Sequence, residues 1–159
     1  MTASILKLKE TLKRLLTLHS SPHEIALGIA AGVFIGFTPF YGFHTLLMIA
    51  AAFLIRPANK IAILIGTNVS LPPTFPLITW AGYETGRWVL GSRYPALDLS
   101  LFENLSYNAI LAKIIDIYYP LLIGSLILGG IFALVFYLLV RVAVQVHQSK
   151  RQKVQPGNP

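Results

Sequence analysis

Cysteine is missing altogether and acidic side chains nearly so: the 159-residue chain holds no Cys and only six Asp plus Glu. The first absence excludes disulfides and thiolate chemistry and leaves the redox compartment open. The second belongs to a wider shortage, because charged residues make up 12% of the chain against roughly a quarter in soluble domains. Catalytic signatures are missing as well. There is no G-x-S-x-G, no P-loop, no H-E-x-x-H and no close carboxylate pair within one segment. His19 and His23 have a metal-like spacing, but the Ser20–Ser21–Pro22 break puts them on different helices. The sequence therefore predicts no enzyme, no cofactor and no metal site.

What is present is apolar. Hydrophobic residues form 55% of the chain, the mean hydropathy is +0.66, and the apolar blocks fall at 24–91 and 119–140. The pattern predicts an all-α integral membrane protein. A net charge of +7 would suit nucleic acid, but the basic residues cluster at the chain ends beside apolar blocks. They read as topology signals and lipid-headgroup contacts, with membrane lipids as partners and no nucleic acid.

Residues 1–20 predict an amphipathic interfacial helix: Ile5, Leu8, Leu12, Leu15 and Leu16 recur at three- and four-residue steps between Lys and Arg. A soluble helix packed on the rest of the chain is the alternative. The segment is positive, then apolar, as in a signal peptide, but without an A-x-A-like site it is expected to be retained. In SSPHE, Ser21 as N-cap, Pro22 at the first helical position and Glu24 three residues after the cap form a capping box that starts a new helix.

The region 21–91 predicts two broken or re-entrant apolar units. Ile25–Phe37 is 13 residues long and reaches about 20 Å of a roughly 30 Å hydrocarbon core. It then breaks at TPFYGFH, resumes at Thr45–Ile55, crosses the basic link RPANK, runs Ile61–Leu71, breaks at PPTFP and resumes to Leu90. Backbone freed at such breaks cannot face lipid, so the two breaks are expected to meet or to line a polar cavity. Two proline-kinked helices without a cavity are the other reading. Residues 92–118 predict an amphipathic connecting segment, opened by a second capping pattern at Ser100–Glu103. Residues 119–140 predict an uninterrupted transmembrane helix, and 141–159 a basic flexible tail.

Ten of the Lys and Arg residues lie in the N-terminal helix, the 56–60 link and the segment from Arg141 onward. They predict both termini in the cytoplasm, with 24–55 dipping in and returning, 61–91 crossing in broken form and 119–140 crossing back. Two full hairpins would put the termini on opposite sides, against that count.

Polar residues inside apolar segments are the candidate ligand or pathway residues: Thr38, Tyr41, His44 and Thr45 at the first break; Thr67, Asn68, Ser70 and Thr74 at the second; Glu84 and Arg87 beyond it. Glu84 and Arg87 can pair at three-residue spacing, or Arg87 can snorkel to headgroups. Helices restarting at the breaks offer free N–H groups to an anion, so an anionic lipid or small anionic solute is the expected ligand. Gly28, Gly32 and Gly36, and again Gly82 and Gly86, form small-residue packing faces. A chain with so few spans is expected to form a homo-oligomer, a dimer first, or to bind a membrane partner.

The combination of SPHEIALG, FIGFTPFYGFHT, GTNVS, PPTFP and GRWVLG, within roughly residues 10–140, resembles a bacterial membrane-protein family known as domain of unknown function 2062. Family members are expected to read S-N-P at the second break, where this chain has Ser70, Leu71 and Pro72. The resemblance implies a small inner-membrane protein, fused in some relatives to a glycosyltransferase-like domain, with no established activity. It leaves two functional expectations: transport or handling of an anionic ligand at the breaks, or a non-catalytic scaffold for envelope-assembly enzymes such as glycosyltransferases.

Overall fold

The computed structural model describes residues 20–40, 42–68, 74–91, 94 and 107–154, with side chains over 116–149 in the last segment. The amphipathic segment at 1–19, Tyr41, Ser70 and the Ser100–Glu103 pattern lie outside the described residues. The secondary structure of the described residues is helical, without strands: α1 (Pro22–Phe37), α2 (His44–Leu54), α3 (Lys60–Thr67), α4 (Phe75–Leu90) and α5 (Tyr107–Val154).

Local chemistry sets these boundaries. Ser21 caps α1 by accepting from the Glu24 N–H while Glu24 accepts from the Ser21 N–H, so both halves of the capping box form. The helix stops at Thr38, whose extended backbone (φ −70°, ψ 139°) is what a following proline demands. The Phe43 N–H donates to Phe40 O across a turn in which Gly42 has φ +87°, a conformation that favours glycine. Asn59 caps α3 by accepting from the Ile61 and Ala62 N–H groups.

The frame is α5. It extends beyond 119–140 at both ends, into residues for which the sequence predicts a connecting segment and a flexible tail. Tertiary contacts hold the C-terminal extension. Val144 is buried in a cluster with Ile25 and Ile29 of α1, and Gln148 donates to Ser20 O at 3.3 Å. Over Asp116–Ser149 this helix is long and apolar enough to cross a membrane, and only 17% of its most apolar stretch is buried within the chain.

Two shorter helices run antiparallel to α5, one after the other. α1 starts near Tyr137, where His23 Nδ1 lies 2.8 Å from the phenol oxygen, and ends with Phe37 stacked on Phe132 at 4.9 Å. α4 covers the next stretch, with Gly82 over Ser125 and Gly86 over Pro120. Ile78, near the start of α4, joins the same cluster as Leu128 and Phe136. The end of α1 and the beginning of α4 are therefore at about one level of α5.

α3 runs parallel to α1 and packs on it almost backbone to backbone. A Cβ on Gly32 would stand 2.8 Å from Gly66 Cα and 2.7 Å from Thr67 N, and one on Gly28 would stand 2.6 Å from Ala62 Cβ. α2, which links them in the chain, lies beside this pair and buries none of its residues.

Candidate functional site

The first break spans Thr38–Phe43 and the second Asn68–Thr74. Both follow helices that begin at one pole of the bundle, where Asn59 Nδ2 donates to Ser20 Oγ (2.9 Å) and the Asn59 N–H donates to Glu24 O (3.0 Å). Arg56 and Lys60, both exposed, lie at this pole.

The polar residues at the breaks mostly serve their own helices. Thr38, buried, donates its hydroxyl to Ile35 O at 2.6 Å. Thr67 Oγ1 donates to Ile63 O (2.9 Å), and the exposed Asn68 amide donates to Leu64 O (2.7 Å). The Thr38 hydroxyl adds a second bond to Ile35 O, which also accepts from the Thr38 N–H, and the Asn68 amide serves Leu64 O, one of the last four carbonyls of α3. His44 is the first residue of α2 and is half-buried, while Thr45 beside it is exposed. Thr74 is exposed and precedes Phe75. Neither α2 nor α4 has a side-chain cap on its N-terminus.

Glu84 and Arg87 do not belong to this group. Arg87 lies twelve residues beyond Phe75 on α4, about 18 Å along the helix, so it is remote from the α4 N-terminus. Its Nη1 donates to both Glu84 carboxylate oxygens at 2.8 Å, and its Nε donates to Tyr94 O at 3.1 Å. The pair is partly open to the surroundings, with the Arg87 side chain 23% and the Glu84 side chain 35% exposed.

The glycines have packing partners inside the chain. Gly28 and Gly32 meet α3, Gly82 and Gly86 meet α5, and Gly36 is buried. Sequence reasoning missed Gly66 and Gly124, the small residues that complete these contacts, as well as Ser125, Tyr137 and the Asn59 cap. The cap was discoverable, since an Asn directly before an apolar helical run is a start signal.

Two apolar grooves flank α2. One, about 440 Å³, lies between α2 and α1, and the other, about 270 Å³, lies between α2 and α3. Comparison with known proteins then places the chain. The model of a family described as "Uncharacterized protein conserved in bacteria (DUF2062)" matches residues 6–153. The chain belongs to the DUF2062 family. No curated protein and no solved structure matches it. Membership of DUF2062 brings no activity with it, so a functional reading rests on the site.

Proposed function

We propose that this DUF2062 protein sits in the bacterial cytoplasmic membrane as a multi-pass, non-catalytic protein and handles an anionic lipid or small anionic solute where its half-length helices break. The observation that carries the reading is the common level of the two breaks on α5. Phe37 ends α1 against Phe132, and Ile78 of α4 packs into the same region, close to the middle of the apolar stretch Asp116–Ser149. α5 exceeds the bilayer at about 51 Å for its 34 apolar-span residues, whereas α1 and α4, 16 residues each, reach about 24 Å and stop inside it.

Membrane placement is supported by the outward apolar surface. Phe53, Leu54, Leu134, Leu139 and Trp88 are all well exposed, more than a water-facing monomer tolerates in one body. Orientation follows from the pole that gathers Ser20, Asn59 and Gln148. Arg56, Lys60 and the basic C-terminal stretch of α5 share it, which favours both termini on the cytoplasmic side. At the breaks, α2 and α4 each begin a new helix, and the positive dipole ends there favour an anion. Membrane lipids and a second copy of the chain are the partners in this reading. The competing scaffold reading relied on glycine faces open to partner helices, and the described contacts of Gly28, Gly32, Gly82 and Gly86 are made within the chain.

The native chain has no cysteine, so single labels report cleanly. A Thr74→Cys variant in membranes is expected to react with an impermeant maleimide far more slowly than Ser149→Cys, and His44→Ala to slow transfer of phosphatidylglycerol in proteoliposomes. Equal labelling rates, or transfer indifferent to His44, would refute the reading.

A further inference from the structure

We propose that α2 is a post clasped by one diacyl anionic phospholipid, with an acyl chain in each flanking groove and the phosphate on Arg56 and Lys60. The proposal rests on the membrane placement above and not on transfer at the breaks.

The two grooves use opposite faces of the same helix. Leu47, Ala50 and Leu54 line the larger one together with Leu27, Ala31 and Phe34 of α1. Met48, Ile49 and Ala52 line the smaller one with Lys60, Ile63 and Leu64. At 100° per residue, positions 47, 50 and 54 point away from 45, 48 and 52. α2 therefore stands between two channels, and its lack of buried residues is the result. Their volumes, about 440 and 270 Å³, are of the order of ordinary ligand sites. Chains entering from the bilayer would supply the dispersion contacts that the walls now lack.

Charge selects the occupant. Both grooves converge on the α2–α3 link: Leu54 and Ile55 close the larger one immediately before the exposed Arg56, and Lys60 is itself part of the smaller one. Among the described residues, the acidic group at this pole is Glu24, whose carboxylate is turned to the Ser21 N–H in the capping box. A free anion would leave the grooves unfilled, and a zwitterionic lipid would bring its own cation to the two basic residues. A two-chain lipid with an anionic headgroup satisfies both observations.

Native mass spectrometry of the full chain in mild detergent, titrated with dioleoyl phosphatidylglycerol or dioleoyl phosphatidylcholine, tests this. One phosphatidylglycerol is expected to be retained in preference. Each basic residue near an anionic headgroup strengthens binding roughly five-fold, so Arg56→Gln with Lys60→Gln is expected to weaken retention about thirty-fold, while Arg56→Lys with Lys60→Arg preserves it. Ala50→Phe and Ala52→Phe, which fill one groove each, should both weaken binding of the two-chain lipid. Equal retention of the two lipids, indifference to the charge-removing pair, or a lipid-free dimer with both grooves occluded would overturn the proposal. Selective retention without transfer would defeat the break reading alone, and transfer without selective retention would defeat this one alone.

Discussion

Replacing Gly32 by alanine pits two effects of opposite sign against each other. In a helix interior, Gly→Ala stabilises by about 1 kcal/mol, because alanine loses less backbone freedom on folding. At Gly32 the new methyl would stand 2.8 Å from Gly66 Cα and 2.7 Å from Thr67 N, and nearer still to Ile63 O. Carbon atoms prefer separations of about 3.5–4.0 Å, so α3 must retreat from α1 by about 0.7 Å or more. The obstructing atoms are backbone and cannot rotate aside. Overpacking of this kind costs about 1–3 kcal/mol, and the retreat also thins the contacts around Ile29 and Val33. The net expectation is a loss of up to about 2 kcal/mol, or up to roughly 8 °C in apparent melting temperature for a chain of this size. Gly130 on α5 is the control, since a Cβ there would meet nothing within 4 Å, and Gly130→Ala should hold or raise the melting temperature. Circular dichroism melts of the two variants in the same detergent decide the matter. If Gly32→Ala behaves like Gly130→Ala, the close approach of α1 and α3 is wrong.

Asn59→Ala removes the α3 cap and the bond to Ser20 together, and is expected to cost about 1 kcal/mol, visible as faster amide exchange in the first turn of α3. Arg87→Met should destabilise more than Arg87→Met combined with Glu84→Leu, because the single change strands a partly buried carboxylate while the double change removes both charges. The single change should fall between the roughly 0.5 kcal/mol of exposed pairs and the roughly 3 kcal/mol of buried ones. A double-mutant cycle with no coupling would contradict the 2.8 Å contacts.

Features decided within a few residues of chain were legible. The Ser21–Glu24 box, the stop at Thr38–Pro39 and the restart of α2, expected at Thr45 and found at His44, each follow from local hydrogen bonding or from proline geometry. The full length of α5 was not, because the helix beyond Arg141 is held by Val144 in the α1 cluster and Gln148 on Ser20, contacts separated by more than a hundred residues. Glycine spacing in α1 and α4 marked faces of close approach, yet it could not say that α3 and α5 occupy them. Thr38, Thr67 and Asn68, candidate ligand groups by their polarity, bond carbonyls of their own helices, a pairing that polarity alone does not reveal. That Arg87 is remote from the start of α4 required only the helical rise.

Where glycine meets backbone, as at Gly32 and Gly66 between α1 and α3, no side chain separates the two helices to act as a bearing, and relative sliding would collide peptide against peptide. α1 and α3 must then travel as one rigid piece, fixed in turn to α5 through Phe37 and Val144. Freedom of movement is concentrated in α2, held by its turns and its thin lateral contacts. Among the helices with described side chains its amides should be the first to exchange with solvent deuterium.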